Sequence, residues 1–122
     1  MARILIIDDE EQVRLYLRKM LETEGYEVVD APDGKVGLWL YRQNPTDLII
    51  MDIFMPEKEG LGTIRELRRD YPEVKIIAIS GGGKISTLDF LPIAKRLGAL
   101  RTLAKPFTRQ ELVDAVQEVL NL

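Results

Sequence analysis

The sequence has 122 residues, of which 46% are hydrophobic and 30% charged, and its formal net charge is -3; this predicts one soluble domain without a nucleic-acid or membrane surface. The absence of His and Cys excludes imidazole catalysis, thiol chemistry and the usual zinc sites. No apolar run is long enough to span a bilayer and no signal-peptide pattern is present, so we expect a cytoplasmic protein.

The first half of the chain alternates short apolar runs with segments of helical spacing. Strands are predicted at Arg3–Ile7 and Glu27–Ala31. A helix from about Glu11 to Glu24, stopped by Gly25, lies between them, and a second helix ends before Asn44. A third strand, at Leu48–Met51, runs without a break into Asp52, and a turn marked by Pro56 and Gly60 follows at once.

The second half of the chain continues the alternation. A helix through Leu61 and Leu67 stops near Tyr71, and a strand at Val74–Ile79 leads into Ser80 and a Gly-rich loop, Gly81 to Leu88. A short helix is predicted from about Asp89 to Leu97, stopped by Gly98. A fifth strand at Leu100–Ala104 ends at Lys105, and the capping box of Thr108 and Glu111 opens a last helix with a fixed apolar face: Leu112, Ala115, Val116 and Val119.

Five strands alternating with five helices predict an α/β fold. Right-handed crossovers place helices on both faces of a parallel sheet. The expected architecture is a flavodoxin-like (βα)5 doubly wound sheet with strand order 2-1-3-4-5. Ligands bind such a sheet at the carboxyl ends of its strands, where strands 1 and 3 diverge.

Polar side chains follow four of these strands at the expected ligand-binding edge, namely Asp8 and Asp9, Asp52, Ser80 and Lys105. Three neighbouring carboxylates repel one another unless a cation joins them, and oxygen ligands without His or Cys suit Mg²⁺. A carboxylate such as Asp52 can act as a nucleophile toward phosphorus. The Ser80 hydroxyl and the Lys105 ammonium would stabilise the anion formed there.

Together with Met55-Pro56, Gly60 and Lys105-Pro106-Phe107, these residues resemble the receiver (CheY-like) domains of bacterial two-component response regulators. The resemblance covers the whole chain. It implies that Asp52 accepts a phosphoryl group from a phosphohistidine on a sensor histidine kinase or a histidine phosphotransfer protein. It also implies a Mg²⁺ site whose ligands are Asp8, Asp9, Asp52 and the backbone carbonyl of Phe54.

The same resemblance assigns roles to the remaining site residues. Ser80 follows the phosphoryl group when the domain switches, and Lys105 pairs with the phosphoryl oxygens. The peptide bond before Pro106 is expected to be cis. Contacts with the kinase are expected from the first helix at Glu10 to Arg14 and from the loop at Pro106 to Arg109.

Three features of the chain depart from the family pattern. Thr102 stands where many members have a rotating Tyr or Phe, which puts the usual aromatic coupling to Ser80 in question. The Gly-rich loop after Ser80 is longer than is common and could carry a switching motion in its place. Phe54 is bulky and apolar at a position that influences how water reaches the phosphoryl group.

The expected function is a phosphorylation-dependent switch in phosphorelay signal transduction. The protein would not be an enzyme beyond catalysing its own phosphoryl transfer and dephosphorylation. We expect residues 1–122 to form a single receiver domain with no output domain in this chain, so the signal passes to an unidentified downstream protein. The proposed partner face is helix 4, strand 5 and helix 5, with its basic residues Lys95, Arg96, Arg101 and Arg109.

Two alternatives stay open at this point. The first is a receiver-like interaction module that acts without phosphorylation. The second is a Mg²⁺-dependent phosphatase of the haloacid dehalogenase type, which needs a second Asp where this chain has Phe54. Away from the site, Trp39 and Tyr41 of the second helix are predicted to be packing residues.

Overall fold

The computed structural model describes residues 2–53, 59–80 and 92–122, without the side chain of residue 59. Its strands and helices alternate along the chain as the sequence predicts. The strands are β1 Arg3–Ile7, β2 Glu27–Ala31, β3 Leu48–Asp52, β4 Ile76–Ser80 and β5 Arg101–Ala104. The helices are α1 Glu11–Thr23, α2 Gly34–Gln43, α3 Glu59–Asp70, α4 with helical residues 92–97, and α5 Arg109–Leu120.

The strands form one parallel sheet in the order β2-β1-β3-β4-β5, which confirms the predicted fold class and strand order. Ile7 at the end of β1 lies opposite Ala31 of β2 and Met51 of β3. Asp52 lies opposite Ile79 of β4, and Ser80 lies opposite Ala104 of β5. Since the strand ends are in register, the residues that follow them meet at one edge.

Two hydrophobic clusters cover the two faces of the sheet. Because side chains alternate along a strand, Leu5 and Ile49 contribute to the cluster under α2, α3 and α4, whereas Ile4 and Ile50 contribute to the cluster under α1 and α5. The strands β3 and β4 are buried along their whole length. The predicted apolar face of the last helix is confirmed, because all four of its members are buried in the second cluster: Leu112, Ala115, Val116 and Val119.

Local signals in the sequence account for several element boundaries. Gly25 and Gly98, which have φ angles of 93° and 134°, follow α1 and α4 in the left-handed region that favours glycine. The capping box at α5 is confirmed, since the Thr108 side chain accepts from Glu111 N at 3.0 Å and Glu111 accepts from Thr108 N at 2.8 Å. The predicted start of α4 at Asp89 and the Gly81 to Leu88 loop lie outside the described residues.

Three predicted strand bounds move by one residue, because β3 includes Asp52, β4 includes Ser80 and β5 begins at Arg101. Two further predictions from the sequence are wrong. The strand β4 begins at Ile76 rather than Val74, because the Val74 N–H donates to Tyr71 O at 2.9 Å in a turn that follows α3. Trp39 is not a packing residue, since 60% of it is exposed on α2. Tyr41 is buried as predicted and meets Tyr71 edge to face with ring centroids 4.9 Å apart.

The first turn of α3 lies directly against the end of β3. A Cβ atom on Gly60 would overlap the backbone of Ile53 and would lie 2.8 Å from the carbonyl oxygen of Asp52. A Cβ on Gly62, two residues further along the same helix, would meet nothing within 4 Å. The absence of a side chain at Gly60 therefore lets α3 begin next to the strand end that carries Asp52.

This difference makes Gly60→Ala and Gly62→Ala a matched pair. We expect Gly60→Ala to lower the free energy of unfolding by about 2 kcal/mol, because backbone atoms cannot yield to the added methyl group. Gly62→Ala should raise it by about 1 kcal/mol through helix propensity alone. Urea unfolding followed by circular dichroism measures both, and equal effects of the same sign would contradict the close packing at Gly60.

No helix in the three described ranges has the length and apolar character needed to cross a membrane.

Candidate functional site

The four polar strand ends predicted from the sequence come together at the carboxyl edge of the sheet. Asp52 is the last residue of β3 and is only 2% exposed, while Asp8 and Ser80 are fully buried. Lys105, directly after β5, places its Nζ 3.3 Å from Asp8 Oδ2 and 3.5 Å from Asp52 Oδ2. One ammonium group thus joins two buried carboxylates that lie on neighbouring strands.

Asp8 is fixed by contacts on every side. Its N–H donates to Ala31 O at 3.1 Å, and its carbonyl oxygen accepts from Arg14 Nη1 at 2.6 Å. Its Oδ1 accepts from the Glu10 N–H at 2.8 Å, which leaves Oδ2 for Lys105. A buried carboxylate is tolerated only where such partners offset the loss of water, so the fold holds Asp8 in a defined place.

Lys105 is oriented by its own backbone. Its N–H donates to Ser80 O at 2.9 Å, which extends the pairing of β5 with β4 by one residue. The Lys105-Pro106 peptide bond is cis, as the resemblance predicts. The Lys105 side chain is 18% exposed, whereas the side chains of its two carboxylate partners are at most 3% exposed.

Four acidic residues could hold a metal ion together: Asp8, Asp9, Glu10 and Asp52. One carboxylate oxygen from each lies within 4.8 Å of the others. Asp9 and Glu10 are exposed, whereas Asp8 and Asp52 are buried. Oxygen donors of this kind, with no nitrogen or sulfur ligand, fit a hard cation such as Mg²⁺. The sequence predicted three of these acids as ligands and missed Glu10, whose only signal was its position directly after the other two.

Ser80 contributes a hydroxyl group whose hydrogen-bonding capacity is unused among the described residues. Its Oγ is buried and has no hydrogen-bond partner within the part of the chain that the structure describes. Buried polar atoms are nearly always paired. The oxygen atoms of an anion placed between Asp52 and Lys105 would offer hydrogen-bond acceptors to this hydroxyl group.

Other predicted features fall partly outside this site. The backbone carbonyl of Phe54, predicted to bind the metal, and the Met55-Pro56 pair lie outside the described residues. Thr102 is half-buried in β5, opposite Ala78 of β4. On the predicted partner face, Lys95 and Arg96 are exposed, while Arg101 and Arg109 form ion pairs at 2.6 Å with acids of α5 and the α1 cap, Glu118 and Glu24.

Comparison with known proteins gives consistent matches along the chain. Residues 4–117 match the family model described as "Response regulator receiver domain". The chain is 32% identical over 120 residues to the transcriptional regulatory protein CpxR of Klebsiella pneumoniae, with 98% of this chain and 50% of CpxR covered. It is also 32% identical over 121 residues to the sensor kinase CckA of Brucella abortus, covering 98% of this chain and 12% of CckA.

Solved structures agree with the sequence matches. A response regulator receiver domain protein from Clostridium thermocellum superposes with a TM-score of 0.90 at 33% identity, covering 99% of this chain and 95% of that one. The chain spans about half the length of CpxR (50%).

Proposed function

The chain belongs to the family of response regulator receiver domains, and on this premise we propose that Asp52 is the phosphoacceptor of a two-component phosphorelay. The observation that carries the proposal is the position of the Asp52 carboxylate. It ends a buried strand, lies 3.5 Å from the Lys105 ammonium and belongs to a cluster of four acids. A nucleophile, a cation that offsets charge and an acidic metal-binding pocket are the parts that phosphoryl transfer to a carboxylate requires.

The reaction follows from the chemistry of these groups. A carboxylate oxygen of Asp52 attacks the phosphorus of a phosphohistidine, a P–O bond forms, and the P–N bond breaks with its electron pair passing to the imidazole nitrogen. Lys105 offsets the charge on the transferred phosphoryl oxygens. The Ser80 hydroxyl, which has no partner among the described residues, donates to one of those oxygens in the phosphorylated state. Attack by water on phosphorus later returns phosphate and the free carboxylate.

Mg²⁺ is the proposed cofactor. Asp8, Asp9 and Asp52 would hold it, with the carbonyl of Phe54 kept as an expectation from the resemblance, and Glu10 lies close enough to take part through water. When bound, the ion neutralises charge on the phosphoryl oxygens. The protein's own contribution is to keep the acids together before the ion arrives, through the contacts that fix Asp8.

The proposed partners are a sensor histidine kinase or a histidine phosphotransfer protein, and a downstream protein that reads the phosphorylated state. Similarity to part of a sensor kinase supports the first of these. The exposed start of α1 and the loop at Pro106 to Arg109 flank the acids and form the proposed kinase contact. The protein would act in the cytoplasm as a regulatory phosphoacceptor, not as an enzyme with a separate substrate.

Incubation with acetyl phosphate, followed by intact-mass measurement, tests the proposal. We expect one added phosphoryl group in the presence of Mg²⁺ and none in the presence of a chelator, because the three carboxylates repel an incoming phosphate unless the cation is bound. A folded protein that binds Mg²⁺ yet gains no phosphoryl group would contradict the proposal and favour the phosphorylation-independent module. Steady release of phosphate from monoesters would instead favour the phosphatase.

A further inference from the structure

A cation from α1 contacts the backbone of the acidic site. Arg14 lies in the first turn of α1, and its Nη1 donates to the carbonyl oxygen of Asp8 at 2.6 Å. The Arg14 side chain is largely buried. An arginine near the start of a helix would ordinarily extend into solvent, so its placement against the β1–α1 turn needs a reason.

The Arg14 guanidinium is held from a second side by β2. Its Nε lies 3.7 Å from Asp30 Oδ1, and the other oxygen of Asp30 accepts from Arg18 Nη1 at 3.0 Å. Arg18 also pairs with Glu22 at 3.1 Å, and within the described ranges its hydrogen bonds and ion pairs go to Glu22 and Asp30 rather than to Asp8. Among the described residues, Arg14 is therefore the member of this ion-pair network that also bonds to an acid of the site.

The Asp8 carbonyl oxygen belongs to the same rigid peptide plane as the Asp9 N–H. A bond that fixes this oxygen also fixes the direction in which the chain leaves Asp8 and enters Asp9. Among the described residues Asp9 has no hydrogen-bond or ion-pair partner of its own, and it is exposed. The position of its carboxylate therefore depends on the orientation of that peptide.

We propose that Arg14 is a positioning residue for divalent-cation binding: it orients the Asp8–Asp9 peptide so that the Asp9 carboxylate meets those of Asp8 and Asp52. The inference rests on the proposed function of the acidic site. It concerns a residue that is not itself among the four acids that could hold the metal. Residues that orient metal ligands in this way change metal affinity by about tenfold to a hundredfold when they are replaced.

The direction in which the Mg²⁺ affinity changes when Arg14 is replaced distinguishes a positioning role from a purely electrostatic one. Replacing Arg14 with Met keeps most of the side-chain volume and removes one positive charge near four acids. If only charge mattered, the loss of a nearby cation would tighten Mg²⁺ binding. If Arg14 positions Asp9, the same substitution weakens Mg²⁺ binding despite the more negative surroundings.

The test is a Mg²⁺ titration of the full chain, followed by amide chemical shifts, in the wild type and three variants. We expect Arg14→Met to raise the Kd for Mg²⁺ about tenfold. The matched control, Arg18→Met, removes the same charge from the same network without touching Asp8 and should leave the Kd unchanged. Arg14→Lys keeps the positive charge but replaces the guanidinium group, which contacts both Asp8 and Asp30, with a single ammonium group. Any weaker Mg²⁺ binding by this variant therefore reflects lost positioning rather than lost charge.

Several outcomes would overturn the proposal. Arg14→Met could bind Mg²⁺ as tightly as the wild type or more tightly, or the two Met variants could lose equal affinity. If Arg14→Met fails to fold, Arg14→Lys decides: an unchanged Kd overturns the proposal, and a raised Kd supports it. A folded wild type that binds no Mg²⁺ would overturn the proposed metal site itself, whereas tight wild-type binding with unaffected Arg14 variants would overturn the positioning role alone.

Discussion

Asp52→Asn is expected to abolish phosphoryl incorporation from acetyl phosphate while making the metal-free protein more stable. The amide cannot act as the nucleophile, so no acyl phosphate forms. The free energy of unfolding should rise by about 1 kcal/mol, because one of two buried carboxylates that share the Lys105 ammonium loses its charge. A gain in stability on loss of a reactive group is typical of functional sites.

Intact mass and thermal unfolding measure the two halves of this prediction. The control is Asp114→Asn, which removes a carboxylate from the exposed surface of α5 and should leave both quantities unchanged. Mg²⁺ should stabilise the wild type more than Asp52→Asn, since the variant has lost one ligand. A phosphoryl group found on Asp52→Asn would show that another side chain is the acceptor.

Lys105→Met is expected to have the second largest effect. The rate of phosphoryl incorporation should fall about a hundredfold, as it does when one preorganised charge donor is removed from a transition state. The metal-free protein should lose about 2 kcal/mol of stability near neutral pH, because Asp8 and Asp52 remain buried without their shared cation. Stopped-time mass measurements and thermal unfolding give the two values.

Mg²⁺ provides an internal check on the Lys105 prediction. In the metal-free protein, Lys105 offsets the negative charge of the acids, and a bound Mg²⁺ ion would offset the same charge. Mg²⁺ should therefore restore most of the stability that Lys105→Met loses, but it should not restore the rate of phosphoryl incorporation. Lys95→Met, on the exposed side of α4, removes the same charge away from the acids and should behave like the wild type. The role assigned to Lys105 would be lost if both lysine variants slowed phosphorylation equally.

The sequence was most informative where buried strands end in charged or turn residues. The bounds of β1 and β2 agree with the prediction because each apolar run stops at an acid or a proline. Val74 was wrongly placed in β4 because an apolar side chain can also be buried in a turn. Trp39 was wrongly predicted to be a packing residue, because an aromatic side chain on a helix can also lie on the face that is exposed to solvent.

In the site, too, the sequence predicted which residues lie at the strand ends but not the contacts that their side chains make. Asp8, Asp52, Ser80 and Lys105 could be predicted because each ends or directly follows a strand whose neighbours the fold class fixes. The contact of Arg14 with the Asp8 carbonyl could not, because it depends on a side-chain conformation supported by Asp30 on another strand. Whether Lys105 would pair with one acid or with two is likewise decided by distances that a sequence pattern does not contain.

The ion pair that joins Asp8 to Lys105 also affects how the protein is made. These residues are 97 positions apart, and the ribosome makes the acids of β1 and β3 long before it makes β5. A nascent chain thus carries Asp52 without the ammonium that completes its surroundings. If Asp52 is the phosphoacceptor that we propose, an unfinished or C-terminally truncated polypeptide without β5 also lacks Lys105, and we expect it to accept phosphoryl groups far more slowly than the finished protein.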